Sequence, residues 1–417
     1  MTSSASQSAT GQSAAPPDTP ALSSTLIIVV AIATGAFVAN LYYAQPLLAA
    51  IGPEIGVSPD FAGIIVSTTQ IGYGAGLFFL VSLADLVESK LLVLSTVLFT
   101  TLGLIAVSLA DSAMPLLVAC FLIGVSSTGA QVLIPFMAHL APDERRGRVV
   151  GKVMAGLLTG IMLARPAALF IAASYGWRAV FIVSAGLMVV IGISLWRLMP
   201  RYRPHGGLHY GQVLASMAGL LRDVPVLRWR AAYQALMFAA FNMLWTAAPL
   251  MLAERFGLSE RGIGLFALAG AGGALAAPLA GHMADRGHSR LATAGAMLAL
   301  GLCFLGSDWA VAAMAMAALV VLVVLIDSAV QINQVVSQRA IFSVPAALRG
   351  RANAIYMTIT FLGGAIGSIL GTVTYHAGGW NLTALSGMAL GLVMLMLFTW
   401  EQRARRGRRN EPAADLA

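Results

Sequence analysis

Two ionisable side chains, Arg165 and Asp327, stand deep inside long apolar stretches of this chain. A charge at bilayer depth costs at least about 2.5–3.5 kcal/mol on insertion scales, so it faces a partner or a water-filled path. Asp327 also opens a pattern. Asp327, Gln331, Gln334 and Gln338 follow one another at i, i+4, i+7 and i+11, which places all four on one face of a helix. The chemistry open to such a carboxyl is proton uptake and release, because desolvation favours the neutral acid and a nearby cation favours the carboxylate. Asp327 is therefore the candidate for proton coupling, and Arg165 for its buried charge partner. Arg165 serves either to release the proton or to hold an anionic substrate. Two plainer readings stand beside these. The glutamine face can bond neighbouring helices, at about 0.6–2 kcal/mol per contact, and the charges can form a static bridge between halves.

The elements that must position these residues are apolar helices. The chain is 59% hydrophobic and only 10% charged, with a mean hydropathy of +0.84. Its apolar residues come in blocks of the length that crosses a bilayer as helix, about 20 residues. The fold class is thus an all-α membrane protein with twelve transmembrane helices. The spans are predicted at 25–51, 59–83, 91–110, 113–140, 150–174, 177–199, 229–253, 262–283, 291–307, 309–341, 351–376 and 380–400. The fourth and tenth are longer than one bilayer requires.

Basic residues set the orientation. With both termini cytoplasmic, every one of the 25 Lys and Arg except Arg165, Arg178, Arg255 and Arg261 falls on the cytoplasmic side. That is the positive-inside bias. It accounts for the net charge of +8 and argues against a nucleic-acid partner, since the basic residues are spread over several loops. The Ser-, Ala- and Pro-rich segment 1–24 reads as a disordered cytoplasmic tail without a secretory leader. Residues 401–417 form a basic cytoplasmic tail. Cys120 and Cys303 lie within spans and suggest neither disulfide nor metal site.

The sequence repeats itself weakly. Arg146-Gly147-Arg148 recurs as Arg349-Gly350-Arg351, and at the same offset Pro46 matches Pro249, Gln131 matches Gln334, Pro142 matches Pro345 and Trp177 matches Trp380. Asp85 after the second span answers Asp285 after the eighth. This divides the chain into a six-helix half at 25–199, a cytoplasmic linker at 200–228 with a short amphipathic helix, and a second half at 229–400. Parallel six-span halves are the plan of one large class of secondary transporters, which bind substrate near the midplane.

At this point a family resemblance becomes specific. Gly281-His282-Met283-Ala284-Asp285-Arg286-Gly287-His288-Ser289-Arg290 resembles the Gly-x-Leu-Ala-Asp-Arg-x-Gly-Arg-Lys signature of the major facilitator superfamily, and it falls between the eighth and ninth spans where that family carries it. The first-half copy, from Val81 to Lys90, keeps Leu83-Ala84-Asp85 but neither glycine. Within the family the chain is similar to bacterial drug- or sugar-efflux type proton antiporters, with two departures. Cys120 stands where that branch has a buried Arg four residues before a Gly, here Gly124, and Arg165-Pro166 replaces its Gly-Pro. We read this as relocation of the buried cation.

The resemblance implies a central cavity lined by the first, fourth, seventh and tenth spans. On those spans the candidate substrate-cavity residues are Asn40, Tyr43, Gln45, Gln131, Asn242, Trp245, Gln331 and Gln334. Amides beside aromatic rings suit an amphipathic organic solute, although the rings can equally be packing residues. Asp85, Asp285, Arg286 and Arg290 are expected to gate the cytoplasmic end. Clustered glycines at 72, 74 and 76, and at 363, 364, 367 and 371, are expected to allow close helix approach.

The function expected is proton-coupled efflux of a small organic molecule by alternating access. The alternative is a proton-coupled importer of an organic anion held by Arg165. The implied setting is the bacterial inner membrane, as a multi-pass monomer with the proton as coupling ion and no other cofactor. No span carries metal-ligand spacing or a Ser/His/Asp set, and no loop is long enough for a soluble catalytic domain, so an enzyme is not expected.

Overall fold

The computed structural model describes residues 23–203, 209–345 and 348–410; the side chain of Asp85 is outside that description, as are nearly all of the expected N-terminal tail, the middle of the linker and residues 411–417. Among the described residues there is no strand. The helices are α1 (Ser24–Ala39), α2 (Leu48–Ile55), α3 (Ile64–Ala75), α4 (Ser89–Ser108), α5 (Ala113–Ser127), α6 (Gly129–Leu140), α7 (Arg146–Tyr175), α8 (Trp177–Leu198), α9 (Tyr210–Asp223), α10 (Pro225–Phe256), α11 (Glu260–Ala269), α12 (Ala276–Asp285), α13 (Ser289–Ala312), α14 (Met316–Ile341) and α15 (Arg349–Asn410).

These runs make twelve crossings because several are broken or joined. The first crossing ends its regular helix at Ala39 and continues through a turn into α2. The fourth is α5 with α6. The eighth is α11 and α12 joined by a 3-10 segment at Gly270–Leu275. The last run holds the eleventh and twelfth crossings, parted where Gly378 and Gly379 leave helical geometry. Gly379 sits at φ +63°, a conformation that residues with a Cβ rarely adopt.

Helix runs past two expected boundaries: α15 continues to Asn410, into the expected basic tail at 401–417, and the ninth crossing ends later than expected. The ninth and tenth spans were expected to meet near 308, yet α13 runs on to Ala312 and α14 starts at Met316. The intervening turn places Met314 at φ +53°. No Gly or Pro marks this turn, and the apolar run continues through it, so hydropathy carried no stop signal there.

Pseudo-symmetry is visible in the packing. Within the first half, Gly156 and Gly160 of α7 lie against the backbone of Ala31 and Gly35 in α1. Within the second half, Gly363 and Gly367 of α15 lie against the backbone of Ala235 and Ala239 in α10. Small residues here let helix backbones touch, which gives the van der Waals contact that holds helices together where lipid offers no hydrophobic drive. The expected glycine role therefore holds for the eleventh span.

Two matching seams join the halves. Gly63 donates its N–H to Thr372 Oγ1 at 3.3 Å, and Ser67 bonds the carbonyl of Ala365, so α3 is tied to α15. Across the molecule, Gly264 of α11 packs on Leu169 and Phe170 of α7, and Arg261 donates to Ser174 Oγ at 3.3 Å. Both seams lie toward the Arg-poor end. Toward the Arg-rich end a cavity of about 570 Å³ opens between the halves, lined by Leu77, Gln131, Pro135, Phe342, Arg349 and Arg351 among others. The halves are thus tied together toward the Arg-poor end, and the 570 Å³ cavity between them lies toward the Arg-rich end.

Candidate functional site

A second, more enclosed cavity of about 160 Å³ lies above that opening, and Gln131 lines both. Its walls come from eight of the twelve crossings. Tyr42, Tyr73, Gln131 and Arg165 represent the first half; Phe241, Gly270, Asp327, Gln331, Gln334 and Phe361 represent the second. The helical spacing of the tenth crossing therefore does what its pattern suggests: Asp327, Gln331 and Gln334 face one space. Gln338, one turn further along, does not line it.

Arg165 and Asp327 share this cavity, and among the described residues no ion pair joins them. Trp245 stands between. Its indole Nε1 donates to Asp327 Oδ1 at 3.1 Å and Oδ2 at 3.3 Å. The face of its ring lies 4.7 Å from the guanidinium carbon of Arg165. Tyr42 and Phe241 complete an aromatic cage around that cation, at 4.9 Å and 5.2 Å. A cation over ring faces gains roughly 0.5–2 kcal/mol, more as water is excluded. Both charges are nearly sealed, Arg165 at 6% exposure and Asp327 at 8%.

The guanidinium is only partly satisfied. Arg165 Nε donates to Gln45 Oε1 at 3.0 Å, while its Nη2 has no hydrogen-bond partner among the described residues. Gln45 in turn donates to Asn242 Oδ1 at 3.3 Å and Thr246 Oγ1 at 3.1 Å, and Gln70 donates to the same Asn242 oxygen at 2.9 Å. This amide cluster spans the two halves on the closed side of the cavity. It fixes the cation from below through Gln45. Gln131 donates to Tyr73 Oη at 3.2 Å, whereas the half-buried side chains of Gln331 and Gln334 make no hydrogen bond among the described residues.

Asp327 is held closely by glycines. The 3-10 segment of the eighth crossing lies on α14, and a Cβ on Gly270 would stand 2.8 Å from Asp327 Oδ2 and against the Trp245 ring. Glycine there lets the broken helix touch both side chains.

The structure separates the expected cavity residues into three groups. Gln131, Gln331 and Gln334 line the cavity. Gln45, Asn242 and Trp245 lie behind its wall and position Arg165 and Asp327. Asn40 and Tyr43 belong elsewhere: Asn40 accepts from Ser184 Oγ at 2.6 Å, and Tyr43 lines an outer groove beside α1 and α7. Their i, i+3 spacing presumed a continuous helix, but α1 ends at Ala39 and the turn that follows rotates Tyr42 inward instead. Gln70 of the second crossing joins the cluster as well, and nothing local in sequence marks its bond to Asn242. Cys120 is buried and does not line the cavity.

At the Arg-rich end, Asp285 pairs with Arg339 from the end of α14. Arg286 and Arg290 are exposed and form no ion pair among the described residues, so the expected latch around Asp285 recruits a different arginine. The side chain of Asp85 lies outside the described residues.

Comparisons with known proteins agree with this architecture. The model of the Major Facilitator Superfamily matches residues 30–341 and 231–415. The uncharacterized transporter YgaY of Escherichia coli O157:H7 is 39% identical over 378 residues, covering 90% of this chain and 95% of the relative. SCO4007 of Streptomyces coelicolor, described as a probable transporter, is 33% identical over 362 residues, covering 85% and 82%. Among solved structures, a partially occluded inward-open conformation of the xylose transporter XylE from E. coli superposes with a TM-score of 0.71 at 14% identity, covering 90% of this chain and 97% of that one. Twelve crossings in two matching halves, a midplane cavity between them and a family match along nearly the whole chain lead to one conclusion: this protein is a secondary transporter of the Major Facilitator Superfamily.

Proposed function

We propose that the protein exports a small amphipathic organic molecule in exchange for protons, by alternating access across the bacterial inner membrane, with both termini in the cytoplasm. The observation that carries this reading is Asp327. It is a carboxyl on the cavity wall with one donor, Trp245, and no cation in direct contact among the described residues. A carboxyl so placed can be neutral or charged at modest cost, and its balance changes with whether water or a solute occupies the cavity. Opening toward the Arg-rich end, taken as cytoplasmic by the positive-inside bias, admits solute from the cell. Closing that end while the seams between α3 and α15 and between α7 and α11 part would expose Asp327 to the other side.

The test uses full-length protein in proteoliposomes. Ligands found by thermal shift at two pH values are assayed for flux driven by an imposed pH gradient. Asp327→Asn should abolish gradient-driven flux while leaving the melting temperature and ligand-free fold intact. Undiminished gradient-driven flux in that variant would remove the coupling assignment.

A second reading is favoured by one observation, the unpartnered Nη2 of Arg165. It makes the protein an importer of an organic anion held by that nitrogen. Direction of flux under a fixed gradient separates the two.

A further inference from the structure

We infer that the solute carried in the central cavity is a small zwitterion with an apolar side chain, its carboxylate on Arg165 and its ammonium on Asp327. This rests on the central cavity being the transport site, and it names the class of substrate.

Four observations lead there. Both charges line one enclosed space of about 160 Å³. Among the described residues no ion pair joins them, and Trp245, behind the cavity wall, contacts both. Each retains unused capacity: among the described residues Arg165 Nη2 has no hydrogen-bond partner, and Asp327 accepts from the indole alone. Finally, the remaining wall is largely apolar and aromatic, with Leu158, Ile161, Met162 and Phe361 around the charged end.

A buried charge without a partner is costly, whereas one with a hydrogen-bonded counter-charge is tolerated. A solute with one charge would leave the opposite protein charge unpaired inside the closed cavity. A zwitterion satisfies both at once and carries no net charge through the occluded state. Both charges are held against one indole, the guanidinium carbon 4.7 Å from its ring and the carboxylate 3.1 Å from its nitrogen, so one small headgroup can address them together. Asp327 then has two competing occupants. A carboxylate that takes up a proton loses its hold on an ammonium group, so proton binding displaces solute without a separate relay.

The experiment measures binding by calorimetry to full-length protein in nanodiscs, without a gradient. The probes are L-phenylalanine, L-leucine and L-methionine, each compared with its methyl ester, a cation, and its N-acetyl derivative, an anion. At least one free amino acid should bind, and both of its blocked forms should bind weaker by about tenfold or more, a difference of about 1.4 kcal/mol. Arg165→Gln should bring amino acid and ester to equal affinity, and Asp327→Asn should do the same for amino acid and N-acetyl form. If a variant does not fold, the wild-type comparison decides alone. Binding by none of the three amino acids, or a blocked form within tenfold of each binding parent, overturns the proposal. Because no gradient is used, proton-driven flux of other solutes would leave the coupling assignment standing while this one falls.

Discussion

The indole of Trp245 donates its N–H to Asp327 at 3.1 Å while the same ring lies against the guanidinium of Arg165. One side chain thus contacts both buried charges and keeps them apart. Trp245→Phe keeps a ring beside Arg165 and removes the hydrogen bond, a loss of about 1.5–3 kcal/mol for a charged acceptor. Ligand-driven flux in proteoliposomes should fall by about tenfold or more. Trp245→Ala should fall further, since it also frees the two charges to approach. Equal flux in wild type and Trp245→Phe would show that the indole N–H has no part in transport.

Among the described residues, Gln45 is the one hydrogen-bond partner of the Arg165 side chain. Gln45→Leu leaves that nitrogen buried without an acceptor and removes a bond that ties the first half to Asn242. The expected cost is about 1–3 kcal/mol, seen as a lowered melting temperature in detergent. Gln70→Leu breaks a bond to the same Asn242 oxygen without touching Arg165, and should cost less.

Gly270 tests the close fit of the eighth crossing on the site. Gly270→Ala forces its Cβ onto Asp327 and the Trp245 ring, and overpacking of this kind costs about 1–3 kcal/mol. Flux should be lost and the melting temperature should drop. Gly295→Ala, where a Cβ meets nothing within 4 Å, should leave both unchanged or slightly raise stability.

Beyond the end of the first span, Glu54 pairs with Arg178. The hydrogen bond from Arg178 holds its carboxyl below the usual glutamate range. The folded value being the lower one, the contribution of this pair is present above the unfolded value and is lost as pH falls through the folded one. Melting temperature should therefore decline on acidification more in wild type than in Glu54→Gln. Parallel curves for the two proteins would contradict the assignment.

At the Arg-rich end, the Asp285–Arg339 pair is more than half exposed on both sides. Exposed pairs contribute roughly 0–1 kcal/mol, so Arg339→Gln should barely alter the melting temperature. A change in flux without a change in stability would identify the pair as a conformational latch.

Much of this was legible in the chain itself. Apolar blocks locate the crossings, and the repeated Arg-Gly-Arg and Trp positions divide the chain into halves. Of the stripe expected from Asp327 to Gln338, the first three members line one cavity because a helix repeats every 3.6 residues whatever surrounds it, while Gln338 lies beyond it. The same rule failed at Asn40 and Tyr43, where the helix stops at Ala39 and the periodicity no longer applies. It also failed at Met314, where a turn is made inside an unbroken apolar run.

What the sequence alone determined, then, is whatever depends on neighbours a few residues apart: helical crossings, their order, and the face of α14 that carries polar groups. What only the tertiary structure decided is which side chains meet across long separations. Gln45 reaches Asn242 and Arg165, Trp245 reaches Asp327, and the two buried charges share a cavity without touching. Those contacts depend on how helices rotate and slide against each other on glycine seams such as Gly156 on Ala31 and Gly363 on Ala235. Van der Waals fit over whole helix faces sets that rotation, and no local pattern of residues encodes it.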